Sequence, residues 1–305
     1  MASRPHPRLQ VNPETPPKAR RRLNRVNTAF LLCAHLLAAY AVLRLHFDRV
    51  APESIVLAVI WFVLCGLSIT AGYHRLFAHG AFRAVAPLRA VFLFFGAGAV
   101  QNSALRWARD HRDHHAYTDG EHDPYSVRHG FWWAHVGWVL FDKQVERPQT
   151  AVADLTADPL VRWQDRAYLP IAILAAAVVP MLLGLLWGDP LGALFVAGFL
   201  RLVLQWQSTF AINSLAHTIG SRPWEKESTA RDSFWLALFT LGEGYHNFHH
   251  RFPGDYRNGV RWYHFDPTKW LLWLFARFRL VGNLRRVSRT TIEKARALAR
   301  PRGAA

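Results

Sequence analysis

The chain has 305 residues, 51% of them hydrophobic, and Lys+Arg outnumber Asp+Glu by 37 to 21. The apolar residues lie in long runs and the basic ones outside them, which argues against an ordinary soluble enzyme and for an all-α integral membrane protein. The basic excess is not read as nucleic-acid binding, because basic residues collect on the cytoplasmic side of membrane proteins.

Residues 1–27 carry Lys18, Arg20, Arg21, Arg22 and Arg25 beside Pro13, Pro16 and Pro17, and read as a basic, disordered tail. No small-residue cleavage site precedes the first apolar run, so no signal peptide is expected. Runs near 29–47, 55–71, 169–187 and 191–210 are each long enough to span a bilayer core, which takes about 20 apolar residues. The connections 48–53 and 188–190 are short and poor in Lys and Arg, as expected of the outer side. The chain then forms two membrane hairpins within a domain covering 28–283. Both termini and the middle segment face the cytoplasm, next to anionic lipid. The apolar stretches 88–100 and 270–280 are too short to cross and read as interfacial or re-entrant helices. A second basic tail, 284–305, holds Arg285, Arg286, Arg289, Lys294, Arg296 and Arg300. Cys33 and Cys65 lie inside apolar runs and read as packed thiols.

Three clusters are built on histidine: HRLFAH (His74 to His79), HRDHH (His111 to His115) and HNFHH (His246 to His250), with His217 between the last two. Neutral imidazole is the commonest side-chain metal ligand. So many are too numerous for one ion and suit two held close together. Positions i, i+3 and i+4 share a helix face. His111, His114 and His115 are therefore expected to aim at one centre, and His246, His249 and His250 likewise. His74 and His79 are five apart, about 140° around an ideal helix, and need a helix end or a bridging arrangement to meet. Among the other histidines, His35 reads as hydrogen-bonded to a neighbouring helix and His6 and His46 as peripheral. His122, His129, His135 and His264 read as residues that orient ligands or lie on the surface. Imidazole suits zinc, iron, copper and nickel. The clusters hold almost no carboxylate, unlike many soluble di-iron sites, and there is no HExxH. Iron is favoured, because a non-redox metal gives no reason for such a ligand set beside lipid.

The stretches ITAGYHRLFAHGAF, QNSALRWARDHRDHHAYTDGEHDPYS, NSLAH and GEGYHNFHHRFPGDYR, in that order, resemble the membrane fatty acyl-CoA Δ9 desaturases of the stearoyl-CoA desaturase type. The resemblance runs from the first span to about Trp270. It implies four transmembrane helices, a cytoplasmic helical catalytic cap and two ferrous ions. The implied ligands are His74, His79, His111, His114, His115, His217, His246, His249 and His250, with Asn213 reaching a metal through water. It implies that dioxygen and two electrons remove two hydrogens from a saturated acyl chain and leave a cis double bond. It places the CoA head of the substrate at Asn102, Trp107, Arg109, Asp110 and Lys143, and the bend of a narrow tunnel at Gln101, Thr209 and Phe210. Two positions depart from the family: a basic pair reads Asp142–Lys143, and a tunnel tryptophan reads Phe210. The first brings acyl carrier protein or an intact lipid forward as alternative acyl carriers. Arg109 also suits phosphate on its own chemistry, with an ion pair to Asp110 as the alternative. Arg201, inside a span, is either functional or part of a structural ion pair. A membrane di-iron lipid hydroxylase and a non-enzymatic metal-binding protein are the competing functions. No Cys-x-x-Cys pair is present, so electrons are expected from a separate protein docking on the basic face.

Overall fold

The structure is a computed structural model that describes residues 22–47, 49–142 and 151–299. It is mostly helical, and four helices are long and apolar enough to cross a membrane: Arg25–His46, Pro52–Ala78, Tyr168–Trp187 and Pro190–His217. The chain is a membrane protein.

The first span starts earlier than the apolar run suggests because polar residues build its end. Asn24 caps it, accepting from the Asn27 N–H at 2.9 Å. Asn27 in turn donates to the Val139 carbonyl at 3.0 Å. Leu23 pairs with Phe141 in an isolated antiparallel bridge. Residues 22–27, read from sequence as disordered tail, are therefore held in place; residues 1–21 lie outside the described residues. Small side chains on this helix (Ala34, Ala38 and Ala41) are buried and face the 193–200 stretch of the fourth span, while Leu32, Leu36 and Leu43 point outward. Small residues allow the close helix approach that packing within lipid requires.

Asp189 joins the two hairpins at one end. Its carboxylate caps Gly192 N at 2.8 Å and accepts from Ala51 N and Ser54 Oγ, each at 2.9 Å. Both tight turns therefore sit together. The opposite ends of the second and fourth spans carry His74 and His217.

The helix of the 88–100 segment is shorter than the four candidate spans. It covers Ala86–Ala97 and is about 18 Å long at 1.5 Å per residue. The chain then turns through Val100 (φ 51°) and Asn102 (φ 77°) into the helix Ala104–Tyr117. Arg201 and Trp206 of the fourth span secure this turn. Arg201 donates to the carbonyls of Ala197 and Gly98, both at 2.9 Å, and of Ala176 at 3.4 Å; Trp206 donates to Ala99 O at 2.9 Å. Three backbone carbonyls thus take the place of the ion pair considered for Arg201. His35 also differs from expectation: its Nδ1 meets Leu31 O of its own helix at 2.7 Å.

Short helices form the cap, among them His246–Arg251, Pro267–Arg277 and Arg289–Leu298. Arg83–Ala84 pairs antiparallel with Val281–Gly282, tying the segment after the first cluster to the C-terminal part. Part of the expected tail 284–305 is ordered: Ser288 caps its helix, and Ala295 packs against Phe248 and Phe252 beneath the third cluster.

Candidate metal centre and substrate cavity

A π-helix resolves the awkward spacing of the first cluster. Span two is α-helical to Leu67, and Ser68–Ala78 continues as π-helix. Its ladder runs i to i+5, so residues five apart come nearly one above the other. His79 N donates to His74 O at 3.1 Å, and the two rings lie 4.9 Å apart. The second cluster rides on Ala104–Tyr117, capped by Ser103. The third forms His246–Arg251, whose start receives its cap from Asp232: one carboxylate oxygen accepts from Asn247 N (2.8 Å) and Phe248 N (3.1 Å). Burial pushes the Asp232 carboxyl up to about 6.

The nine histidines gather into two groups, and each His-x-x-His-His cluster divides between them. His74, His79, His111, His115 and His249 form one; His114, His217, His246 and His250 form the other. The expectation that each cluster serves a single centre is corrected here. The i, i+4 pairs (His111 with His115, His246 with His250) stay together, while the i+3 members His114 and His249 turn to the opposite group. Both helices lie alongside a two-centre site, so each serves both halves.

Within the groups the Nε2 atoms face one another. His79–His111 and His249–His115 are 2.8 Å apart, His74–His249 and His250–His246 3.0 Å, and His246–His217 3.1 Å. His114–His250, 3.2 Å apart, completes the second group. Neutral imidazoles cannot all donate to each other, so this convergence of lone pairs suits cations. Metal–imidazole bonds of about 2.1 Å bring the ligand nitrogens around one ion to roughly 3 Å or a little more from each other, close to these separations.

The outer ring nitrogens hold the Nε2 atoms inward. His74 Nδ1 is 2.9 Å from Glu243 Oε2, and His114 Nδ1 is 2.8 Å from Asp123 Oδ1. His217 Nδ1 donates to Thr229 Oγ1 at 2.7 Å, and Thr229 donates onward to Asp119 at 2.5 Å. Such partners fix the tautomer and orientation of a metal-binding imidazole. Burial first, and then the crowding of neighbouring imidazoles, hold His79, His111, His115, His246, His249 and His250 well below the usual histidine range. They stay neutral, as ligands must. For Asp123 and Glu243, burial pushes upward but is outweighed by His114 for Asp123 and by His74 and Arg75 for Glu243, so both carboxyls are lowered. The donor set therefore fits two cations.

Reading the sequence for clusters missed Glu243, Asp123, Asp119 and Thr229. Glu243 stands three residues before His246, and Asp123 nine after His114; proximity to the clusters was their only signal. Of the remaining described histidines, His135 bonds Ser214 (2.9 Å) and Gln207 (3.0 Å), and His264 stacks on Tyr245 at 4.6 Å. Neither of these, nor His122 or His129, belongs to the two groups.

A cavity of about 890 Å³ runs beside the histidines and is lined by His74, His111, His114 and His246. Gln101, Asn102, Trp107, Arg109, Asp110, Thr209, Phe210 and Asn213 all line it as well. Lys143 lies outside the described residues. Trp107 donates to Gln101 Oε1 at 3.4 Å, and Gln101 donates to Thr209 Oγ1 at 2.9 Å, linking the second-cluster helix to the fourth span across the cavity wall. Asn213 sits one helical turn before His217. Phe210 packs with Leu31, Leu202 and Trp206. Arg106, also at the lining, was not singled out from sequence.

The fatty acid desaturase profile matches residues 53–281. Over 288 residues the chain is 43% identical to the "Probable acyl-CoA desaturase" of Schizosaccharomyces pombe, covering 94% of this chain and 60% of the relative. It is 43% identical over 240 residues to "Acyl-CoA desaturase 1" of Saccharomyces cerevisiae, covering 78% of this chain and 47% of the relative. It is 35% identical over 293 residues to "Stearoyl-CoA desaturase 5" of Homo sapiens, covering 93% of this chain and 88% of the relative. The chain thus spans less than two thirds of the two yeast relatives. The match to the profile over most of the chain, together with the human relative matched along most of its own length, places this protein in the fatty acid desaturase family.

Proposed function

We propose that this protein is a membrane acyl desaturase that places a cis double bond at the Δ9 position of a saturated acyl chain carried as acyl-CoA. The observation that carries the reading is the cavity of about 890 Å³: its lining joins apolar side chains such as Leu31, Ile69, Trp206 and Phe210 to members of both histidine groups. The reaction balances as a saturated –CH2–CH2– unit, dioxygen, two electrons and two protons giving –CH=CH– and two molecules of water. Two iron ions, held by the five-histidine and four-histidine groups with Asn213 acting through water on the latter, would supply the dioxygen-derived oxidant.

The chain's own residues bind, orient and shield. Among the lining residues, Arg109 with the Asn102 amide and the Trp107 indole N–H offers donors that suit a phosphate-bearing head group, and Asp110 lies in the same lining. Leu31, Trp138, Val139, Trp206 and Phe210 present apolar surface to the acyl chain. The Trp107–Gln101–Thr209 link fixes the wall where the chain would bend past the histidines. Burial of the imidazoles keeps bulk water away from the reacting carbons. Both termini and the histidine end face the cytoplasm in this reading, where a separate electron-transfer protein delivers the electrons.

Fatty acids from cells expressing the wild type or His111→Ala, with double bonds located by mass spectrometry, test the proposal. A new cis-monoene found only with the wild type is expected. A hydroxylated product, or no new lipid despite folded, iron-loaded protein and a competent electron donor, would overturn it.

A further inference from the structure

Gln205 is an anomaly in the cavity. It lies inside the fourth span, one helical turn deeper than Thr209, and is only 3% exposed. Its side chain lines the cavity, yet its Oε1 has no hydrogen-bond partner among the described residues. Neighbouring polar groups are committed. The Thr70 and Thr268 hydroxyls meet at 2.5 Å, Thr240 donates to Leu236 O at 2.7 Å, and Thr209 receives Gln101. An amide oxygen buried in this way is costly unless something bonds it, and polar groups at membrane depth usually serve a ligand or a partner helix.

Gly66 makes the room. A Cβ there would stand 3.4 Å and 3.5 Å from the two amide atoms of Gln205 and collide with Leu241. The glycine therefore leaves a pocket for the amide between the second and fourth spans. Gly66 lies eight residues before His74, about two helical turns deeper in the second span. A chain whose reacting carbons sit at the histidines and whose head lies at Arg109 would carry its methyl-side half past Gln205.

We propose that this deep arm is a hydroxyl-recognising subsite, so that the protein accepts acyl chains bearing a hydroxyl on the methyl side of the reacting carbons. An amide offers both an acceptor and donors: the chain hydroxyl donates to Oε1 and accepts from Nε2. The proposal rests on the acyl-chain reading of the cavity.

The test uses the full chain in lipid nanodiscs, with octadecanoyl-CoA and a series of hydroxyoctadecanoyl-CoA probes whose hydroxyl moves stepwise toward the methyl end. Binding is read as thermal stabilisation and turnover as product mass. In the wild type, one narrow range of hydroxyl positions is expected to bind at least as tightly as the plain chain. Gln205→Leu and, as a second variant of matching length, Gln205→Met should lower that ratio about ten-fold. A wild type that disfavours every hydroxyl position overturns the proposal whether or not the variants fold; so does an equal ratio in wild type and variants, as expected if the arm merely holds water. Absence of turnover on the plain chain would sink the desaturase reading, while the binding ratio would still decide the subsite.

Discussion

Glu243 holds three neighbours at once: its Oε2 lies 2.9 Å from His74 Nδ1 and accepts from Asn258 Nδ2 at 2.7 Å, and its Oε1 lies 3.1 Å from Arg75 Nη2. Arg75 is itself buried and also bonds Asp266 (3.0 Å and 3.2 Å) and the Tyr256 carbonyl (2.8 Å). The first cluster is therefore clamped to the loop preceding the third, and through Asp266 to the C-terminal segment. Glu243→Ala leaves Arg75 partly uncompensated and frees the His74 ring. A loss of about 3 kcal/mol in stability is expected, with metal affinity lowered about 10- to 100-fold. Glu243→Gln keeps a hydrogen-bond acceptor and should lose less of both. Thermal melts and metal titrations of the two variants check this, and equal behaviour of Ala and Gln would contradict it.

The division of each cluster across two groups predicts a pattern in metal content. His249→Ala removes a donor from the five-histidine group, and His246→Ala removes one from the four-histidine group, although they sit three residues apart. Each should lower bound metal from about two ions per chain toward about one. The ion retained should differ between the two variants in its spectroscopic signature. Identical spectra would argue for one shared site.

The depressed pKa values predict how stability depends on pH in the metal-free protein. His79, His111, His115, His246, His249 and His250 have folded values well below the unfolded value of about 6.5. Below that pH the unfolded chain binds protons that the folded chain refuses. Stability is thus fully present above about pH 6.5 and falls as the pH drops. Each imidazole that stays neutral adds a slope of up to about 1.4 kcal/mol per pH unit. Melts of metal-free protein between about pH 8 and about pH 5.5 should show a midpoint flat at first and then falling. A midpoint independent of pH would contradict the buried, neutral cluster.

Asp232 supplies the cap that the six-residue third-cluster helix lacks in its own sequence, since Tyr245 offers no side-chain bond there. Asp232→Ala should cost about 1–2 kcal/mol and loosen His246 and His249 together. Asp232→Asn keeps an acceptor oxygen and should retain most of that stability. Hydrogen exchange at Asn247 and Phe248 would separate the two, and unchanged protection in Asp232→Ala would contradict the capping role.

The histidines that converge were legible because their spacing repeats, and the four spans because apolar runs announce themselves. The division of the clusters was not. It depends on where two helices sit relative to a pair of centres, which spacing on one helix does not encode. The π-helix was likewise hidden: His74 and His79 look mismatched in α-helical terms, and the mismatch was the only sign of an altered ladder. Glu243, Asp123 and Thr229 meet their histidines through tertiary folding from loops. Residues 22–27 and 289–298 read as basic tail because charge outweighs pattern there, yet Asn24 and Ser288 cap helices whose apolar contacts bring them back to the body.

The most direct test of the account is anomalous diffraction at the iron edge on crystals of the iron-loaded protein. The account predicts two peaks, one among His74, His79, His111, His115 and His249 and the other among His114, His217, His246 and His250. A single peak, or peaks outside these groups, would contradict it.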